Sequence, residues 1–514
     1  MEDTKSPDSE GKAEVADRFR VMELRSERRV RRSPPPRRLR SRRGPCGGAD
    51  DRLSALPDDM LLLVLARLRC ARSAARTGIL SRRWRDLWTL LPDLTFCDVA
   101  PAKVEVVLAR LASSPSVSAT LDIDIPRSHC GDGARLVSLL DAVARFSPRE
   151  LRFSYQFDMG TKAADLHLPC FPRATSIEFD WHTNSCFMQL PDGEFSALER
   201  LSLGGASVID IDTLLTRCPR LRVLSVDVST SDIKVHSVSL QTLDVLSEQV
   251  CISSIDIVTP KLKQLELIFG ANTDLSVSIS APMVEKVVWN RGFTETTLLF
   301  GFWSLRIITL RPTERLIYRY YWREEDTCSQ LTSVHVLYLE LSATDELYDE
   351  LDMAQEVEFA QEMEKLPVTN FSVLHLSIQT GGHVFGALVC RLLGLHQRFA
   401  VIKRLIVDIE PWYSGRRPCS QNCPCDELKN WRCQNISLTR LDDVHIDGFT
   451  GEDLQLDFLK LIFRSSPMLK RVTLKLVPKF EGCTKKIYNT FLAYPHVKGY
   501  VYLSSGELVP QPSD

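Results

Sequence analysis

Long apolar runs, net charge and cysteine are all scarce in this 514-residue sequence, and each shortage excludes a class of protein. No apolar stretch approaches the roughly 18 residues that a membrane-spanning helix requires, so we expect no membrane partner. The formal net charge of −2 lacks the basic character of a nucleic-acid-binding chain. The 15 cysteines are too few for a disulfide scaffold, and the polar opening MEDTKSPDSEGK is not a secretory signal. These features predict free thiols and a location in the nucleus and/or cytoplasm.

Catalytic signatures are missing as well. The sequence contains no G-x-x-x-x-G-K-S/T, G-x-G-x-x-G, H-E-x-x-H or G-x-S-x-G motif. Its 10 histidines are scattered without a short metal-ligand spacing. A Ser–His–Asp set needs no fixed spacing. The expectation is nevertheless a protein without catalytic activity and without a cofactor.

An arginine-rich tail occupies residues 1–49. Between Arg18 and Arg43 arginine is dense and is interrupted by Ser33 and three prolines. The tail has too little apolar surface to offset the entropy of ordering, so we predict disorder. An arginine block of this type is typical of a nuclear-import signal or a nucleic-acid-binding tail, but also of a solvated tail that has no partner.

Three short helices are predicted in residues 50–96. The first begins at Pro57, because proline suits the first helical position and acidic residues follow in the first turn. A second covers Ser73–Leu80, and a third starts after Ser81 as N-cap and ends at Pro92. Apolar residues recur at helical spacing in the first and third helices, at Leu61, Val64, Leu65, Leu68, Trp84, Leu87, Trp88 and Leu91. Helices this short cannot hide so much apolar surface among themselves, so we expect a partner to cover part of it.

Short apolar strands recur from about residue 118 to about residue 477. Four of them share the pattern apolar-x-x-apolar-x-apolar and start 23, 19 and 22 residues apart. That spacing lies within the period of ~20–29 residues that is typical of leucine-rich repeats. The four strands are Leu198–Leu203, Leu221–Val226, Leu240–Val245 and Leu262–Leu267. Weaker copies are Val284–Trp289, Leu305–Leu310, Val334–Leu341, Phe371–Ile378, Ile402–Val407, Leu441–Ile446 and Leu469–Leu474.

The repeated strands predict an α/β solenoid. Each strand is too short to bury its own apolar face, so it must stack on the next copy. We expect the strands to form an inner parallel sheet, with helices or turns on the outer side. The asparagine or cysteine that closes a regular repeat is mostly absent, so the array is degenerate and its copy number is open. The alternative is a generic α/β domain with a coincidental leucine pattern.

An acidic segment interrupts the repeats at Ala343–Pro367. It is rich in Asp and Glu and has the character of a helix. An insertion on one face of a solenoid is often a binding feature. A solvated helix that covers an edge of the sheet explains the segment equally well.

One cluster of cysteines has the look of a metal site. It consists of Cys419, Cys423, Cys425 and Cys433. Four thiolates can hold Zn²⁺ tetrahedrally, but the spacing C-x3-C-x-C-x7-C differs from the paired C-x2-4-C knuckles of structural zinc sites. We therefore expect free thiols in this loop and no metal site.

The helical segment carries a family resemblance. LPDDMLLLVLARL followed by RTGILSRRWRDLW resembles the F-box of plant F-box proteins over about 45 residues, from Asp51 to Phe96. One departure is Gly78, where the family more often has a small or β-branched residue. The resemblance implies binding to a Skp-type adaptor, which joins the protein to a cullin. It assigns the adaptor contact to Leu56, Pro57, Leu61, Leu65, Leu80, Ser81 and Trp84. Packing of these side chains within the helices is the competing interpretation for each of them.

A second resemblance lies in the C-terminal part. CDELKNWRCQNISLTRLDDVHIDGFTG, with SSPMLKRVTLKL after it, resembles the FBD segment that follows leucine-rich repeats in many plant F-box proteins. Its landmarks here are Cys425, Trp431, Leu441, Val444, Ile446, Gly448, Phe449, Gly451, Leu469 and Val472. FBD function is poorly defined, so this match indicates the subfamily and not the target.

Together these features predict five regions and a non-catalytic receptor. The regions are a basic tail (1–49), a three-helix F-box (50–96), a degenerate leucine-rich repeat solenoid with parallel strands (97–415), FBD-like repeats (416–480) and a C-terminal segment (481–514). The expected role is substrate recognition in a ubiquitin ligase, with the F-box on the adaptor and the repeats on an unknown target protein. The alternatives are a repeat scaffold without ligase function and a nuclear nucleic-acid binder that uses the arginine tail.

Overall fold

A computed structural model describes most of the chain after the arginine-rich tail. The described residues are 56–112, 120–129, 133–157, 165–181, 186–189, 193–293, 298–300, 303–312, 335–343, 353–368, 371–395, 397–410, 423, 425, 431–434 and 436–510. The arginine block between Arg18 and Arg43 lies outside them. Contacts divide the chain into two units, Met1–Leu56 and Pro57–Asp514. Among the described residues, no helix combines the length and apolarity that crossing a membrane requires.

Helices and strands alternate through the second unit. The helices are α1 (Asp58–Ala66), α2 (Ala71–Arg76), α3 (Trp84–Leu87), α4 (Pro101–Ala112), α5 (Gly133–Phe146), α6 (Ile211–Arg217), α7 (Met353–Glu364), α8 (Gly386–Leu395), α9 (Asp453–Ser465) and α10 (Thr484–Leu492). The strands of the first half are β1 (Asp93–Cys97), β2 (Thr120–Ile125), β3 (Glu150–Tyr155), β4 (Asp165–His167), β5 (Ser176–Trp181), β6 (Cys186–Gln189), β7 (Arg200–Val208), β8 (Val223–Val228), β9 (Asp232–His236) and β10 (Thr242–Val258). Those of the second half are β11 (Gln264–Ser280), β12 (Lys286–Gly292), β13 (Leu298–Phe300), β14 (Trp303–Pro312), β15 (His335–Ala343), β16 (Phe371–Gln379), β17 (Arg404–Glu410), β18 (Asp443–Phe449), β19 (Arg471–Leu476) and β20 (Lys498–Tyr502).

A ladder of buried leucines holds the four clearest repeats together. Strands β7, β8, β10 and β11 pair in parallel and in that order, so that Leu201, Leu224, Leu243 and Leu265 stand side by side. All the apolar positions of the repeat pattern are buried in these strands. Burying a leucine side chain contributes roughly 1.5–3 kcal/mol, so every added copy stabilises its neighbour. The predicted parallel stacking is therefore confirmed for these repeats, and the long, mostly parallel sheet is compatible with a repeat solenoid.

Between β8 and β11 the connecting segments of the repeats are strands, whereas α6 lies in the connection from β7 to β8. The second part of β10, Ser254–Val258, pairs in parallel with β9 and with the second part of β11. Strands β4 and β6 form a shorter row of the same kind beside the end of β7. The expectation of helices or turns on the outer side is thus wrong for this stretch. These connections alternate polar and β-branched residues, as in SSIDIV and SVSIS, and this period of two favours strands.

One predicted repeat runs in the opposite direction. Strand β14, which contains the copy Leu305–Leu310, lies antiparallel between β12 and β15 and also pairs antiparallel with β13. The expectation of a parallel strand there is wrong. Only residues 293–302 separate β12 from β14, and part of that length is taken up by β13. A parallel return usually needs a crossover of a dozen or more residues, whereas antiparallel neighbours need a short turn.

The sheet continues through the C-terminal part. Strands β15 to β20 pair in parallel in sequence order. Helices α8, α9 and α10 lie in the connections. At the other end, β1 pairs in parallel with β2, so the N-terminal helices lead directly into the sheet. Strand pairing therefore continues from β1 and β2 to β20, and the boundaries predicted at residues 97, 416 and 481 stay predictions.

A buried ion pair fastens the acidic segment to the sheet. The described part of that segment forms α7, which lies against β13 and buries Phe359 and Met363. The Arg291 guanidinium of β12 donates to the Glu362 carboxylate, and their side chains are 1% and 2% exposed. Lys365 donates to the same carboxylate at 2.6 Å. The described helix is thus docked, which differs from the solvated helix considered above.

Removing the charge of Glu362 should loosen this docking. We expect Glu362→Gln to lower the free energy of unfolding by roughly 3–5 kcal/mol, because it leaves the Arg291 cation buried without its carboxylate. Urea unfolding, with hydrogen exchange of α7 as a local readout, measures the loss. Lys486→Gln is the matched control, since it breaks an exposed pair with Asp453 that solvent screens, so it should leave stability essentially unchanged. Equal effects of the two variants would contradict the anchoring role.

Candidate functional site

The N-terminal helices are short and closely packed. Helix α1 begins at Asp58, one residue after the predicted start, and Asp58 pairs with Arg83 at 2.5 Å. That ion pair joins the first turn of α1 to the residue before α3. Helix α3 begins at Trp84 and its N-cap position is Arg83, so the prediction of Ser81 as N-cap is wrong.

The second helix stops early, and Gly78 lies in the turn that follows it. Helix α2 ends at Arg76 and a 3-10 turn follows at Thr77–Ile79, short of the predicted helix Ser73–Leu80. A Cβ atom on Gly78 would lie 3.1 Å from the Cα atom of Arg85 in α3. Glycine at this position therefore permits a close backbone approach, and the turn replaces the last part of the expected helix.

The structure divides the seven residues assigned to the adaptor. Leu61, Leu65 and Trp84 are buried within the second unit and present no surface to a partner in this conformation. Pro57 and Leu80 are exposed, and Leu56 and Ser81 are half-buried. The burial of these three residues fits the competing interpretation of internal packing. The assignment of all seven residues to an adaptor contact stays a prediction.

Exposed apolar side chains accompany these helices. Ile79 is 89% exposed and Leu80 is 61% exposed, although both are large and apolar. Helix α1 adds Met60, Leu63 and Val64, which are also exposed. We call these five residues the N-terminal apolar surface. Helical spacing in α1 selected Leu61 and Leu65, which are buried, and it did not single out the exposed residues Met60 and Leu63.

The face of the sheet opposite the leucine ladder is acidic in its first half. We call it the open face, since the side chains of this first half are half-buried or exposed. In the first register row between β2 and β11 this face carries Glu150 and Arg200. In the next two rows its carboxylates are Asp122, Asp124, Glu178, Asp180, Asp227, Asp244 and Glu266. In the same two register rows of these described strands the basic residue is Arg152, which pairs with Glu178 at 3.2 Å. Burial raises the pKa of Asp122 and of Asp227, as expected where negative charges crowd a partly dehydrated surface.

The second half of the open face is more closely packed. Val336, Val373 and Ile406 form a buried apolar cluster there. The His375 ring lies edge-on to Tyr338 at 5.0 Å, and its Nε2 atom lies 2.7 Å from the Asp408 carboxylate. Burial lowers the pKa of the neighbouring His445. This half therefore combines buried apolar groups with polar groups that already have partners.

Asp447 is the most perturbed carboxyl on the open face. Burial raises its pKa from 3.8 to about 6, the negative charge of Asp408 adds to the rise, and a hydrogen bond from the Gly448 amide opposes it. Lys475 lies 3.5 Å from the same carboxyl. Because the folded chain holds this proton more tightly, the contribution of Asp447 to stability is full below pH 3.8 and is lost as the pH rises through about 6.

Asp447→Asn should remove this pH dependence. A rise of two pKa units corresponds to about 2.7 kcal/mol. The side chain is partly exposed and faces Lys475, so we expect about 1 kcal/mol after screening. The stability of the variant relative to wild type should therefore rise by this amount between pH 4 and pH 7. Urea unfolding at both pH values measures it, and parallel pH dependences of the two proteins would contradict the assignment.

The FBD landmarks are packing positions. All ten of the landmark residues are buried. Gly448 has a φ of +77°, and a Cβ atom there would lie 2.1 Å from the Ile409 carbonyl oxygen. Trp431 is fully buried against Gly386, where a Cβ atom would lie 2.5 Å from the indole ring. These landmark residues therefore specify how β18, β19 and their neighbours pack, and being buried they are not available to a ligand.

Comparison with known proteins points to one family. No family model matches the chain. A provisionally named F-box protein of Arabidopsis thaliana is 28% identical over 204 residues, which cover 34% of this chain and 40% of that protein. A provisionally named F-box/FBD/LRR-repeat protein of the same plant is 28% identical over 247 residues, or 45% of this chain and 56% of that protein. An F-box/FBD/LRR-repeat protein of Arabidopsis thaliana is 48% identical over 50 residues, about a tenth of each chain.

The resemblance to plant F-box/FBD/leucine-rich-repeat proteins is confirmed by these relatives. The chain is similar to proteins whose names carry all three elements that the sequence predicted. The two longer matches span 40% and 56% of the relatives' own lengths.

Proposed function

We propose that the protein is the non-catalytic substrate-recognition subunit of a ubiquitin ligase of the Skp adaptor–cullin–F-box type, acting in the nucleus and/or the cytoplasm. The N-terminal apolar surface binds a Skp-type adaptor, which connects the chain to a cullin. The open face of the repeats binds the target protein. Similarity to proteins named F-box/FBD/LRR-repeat supports this assignment.

The N-terminal apolar surface carries the proposal. Each fully buried Leu, Ile or Met side chain contributes roughly 1.5–3 kcal/mol relative to exposure. Ile79 and Leu80 are adjacent in sequence and mostly exposed. Two neighbouring large apolar side chains that face water are unfavourable in an isolated monomer and are typical of an interaction surface. A partner that covers them gains that free energy, and exposed α1 side chains add to the gain.

In the proposed mechanism, the protein brings the target close to the ubiquitin-loaded enzyme. The N-terminal helices hold the protein on the ligase, and their continuity with β1 orients the sheet relative to that attachment. A target on the open face then meets the ubiquitin-loaded enzyme at a high effective concentration. The chain supplies no bond-making group, so the stiffness of the stacked sheet matters more than any one side chain.

The charge of the open face favours a basic target. The carboxylates between β2 and β11 repel acidic surfaces and attract basic ones, and such complementarity raises association rates and selects partners. Burial is the main cause of the raised pKa values of Asp122 and Asp227, and neighbouring carboxylates add to the rise, so an approaching cation would offset that smaller part.

The test is binding of a purified Skp-type adaptor. We expect the full chain to bind it and the double variant Ile79→Asp, Leu80→Asp to bind at least about tenfold more weakly, since two exposed apolar contacts become charged. Isothermal titration calorimetry measures the affinity. Both residues are exposed, so melting of the repeat body should be unchanged.

Val238→Asp is the matched control. Val238 is 74% exposed and lies in the repeat body, between β9 and β10. This variant should bind the adaptor like wild type. A folded wild-type chain that ignores the adaptor would overturn the proposal in favour of a repeat scaffold without ligase function.

A further inference from the structure

Three metal-ligating side chains meet at the end of strand β16. They are His383, Cys423 and Cys425, and their ligand atoms all lie within 4.8 Å of one another. The Nδ1 atom of His383 lies 3.2 Å from the Sγ atom of Cys423. Within the described part of the chain this is the one group of three or more such side chains placed so closely.

A tight turn delivers the histidine. Strand β16 ends at Gln379, and Gly381 and Gly382 follow with φ values of +56° and +91°. The His383 amide donates to the Thr380 carbonyl at 2.9 Å, which closes the turn. Two consecutive residues in the left-handed region favour glycine, so the sequence T-G-G-H sets the position of the imidazole.

The cysteines arrive from a separate connection, about 40 residues later. Cys425 is 3% exposed. A few residues further along, Trp431 packs against Gly386 at the start of α8, and the Cys390 thiol donates to Gln434 at 3.2 Å. These contacts hold the chain after the cysteines against the repeat that begins just after His383.

We propose that His383, Cys423 and Cys425 bind a zinc ion. Zn²⁺ takes thiolate ligands at about 2.3 Å and imidazole nitrogen at about 2.0 Å in a tetrahedron. Tetrahedral ligands at those lengths lie roughly 3.5–3.8 Å apart, so the three groups surround the ion with small adjustments. Two thiolates neutralise the charge of Zn²⁺, and soft sulfur ligands select it over Mg²⁺ or Ca²⁺. A fourth donor completes the coordination.

This site replaces the expectation drawn from the cysteine spacing. Cys433 is exposed and is not a member of the group. Cys419 lies outside the described residues. The third ligand is a histidine from another repeat, which no local spacing of cysteines can reveal. Bound zinc would connect the turn after β16 to the chain that enters the FBD segment, so it is a structural clamp that is independent of adaptor binding.

Zinc content of the full chain tests the site. We expect about one zinc ion per chain by plasma mass spectrometry after purification without chelator. When Co²⁺ is added to the chelated protein, we expect a thiolate-to-cobalt absorption band in the near ultraviolet and d–d bands in the visible, as in a tetrahedral site. Removal of the metal should lower the melting temperature, because metal binding is coupled to folding.

Three variants decide the ligand set. His383→Gln and the double variant Cys423→Ser, Cys425→Ser should each weaken Co²⁺ binding roughly tenfold or more. Cys433→Ser is the matched control and should bind like wild type. Circular dichroism checks that each variant folds. A wild-type chain that shows no cobalt band, or a double cysteine variant that keeps its zinc, would overturn the proposal and leave a hydrogen-bonded trio of side chains.

Discussion

The stacking of apolar side chains between neighbouring strands is the interaction on which the structure depends. The short strands of the central repeats depend on their neighbours for burial, and Leu224 is shielded from water because Leu201 and Leu243 flank it. Stability of this kind adds up along the chain, copy by copy. Because the leucine ladder stabilises the sheet, the open face can carry carboxylates or histidines without a change in the pairing of the strands.

The repeat pattern could be predicted from the sequence because burial and period coincide there. In the strands at Leu198–Leu203 and Leu262–Leu267, the apolar pattern indicates which face is buried and the distance between copies indicates the repeat period. Strand direction leaves no such trace, since alternation of apolar residues reads the same way in a parallel and an antiparallel neighbour. The reversed strand β14 was therefore missed, and the clue was the short connection before it. The connecting strands of the central repeats contain β-branched residues that favour strands, but the sequence analysis expected helices or turns there.

The candidate sites were predictable to different degrees. The helical segment was found from its motif, but the motif does not distinguish side chains that pack inward from those that face outward. Trp84 is buried and Ile79 is exposed, and the family resemblance assigned an adaptor contact to Trp84 but not to Ile79. The FBD landmarks behave in the same way, since Gly448 and Trp431 mark steric requirements of packing. The His383 group shows the converse: its ligands come from two connections, so only the fold brings them together.

The anchoring of α7 has a consequence for synthesis of the protein. Arg291 and Glu362 are separated by 71 residues. At about 5–20 residues per second, a ribosome needs roughly 4–14 seconds to travel from one to the other. During that interval the repeats up to β11 can close on one another, while β12 carries a cation whose carboxylate has not yet been made. Assembly of the growing chain can therefore proceed in two stages that meet where strand direction reverses. The repeats beyond that place join a sheet that is already formed.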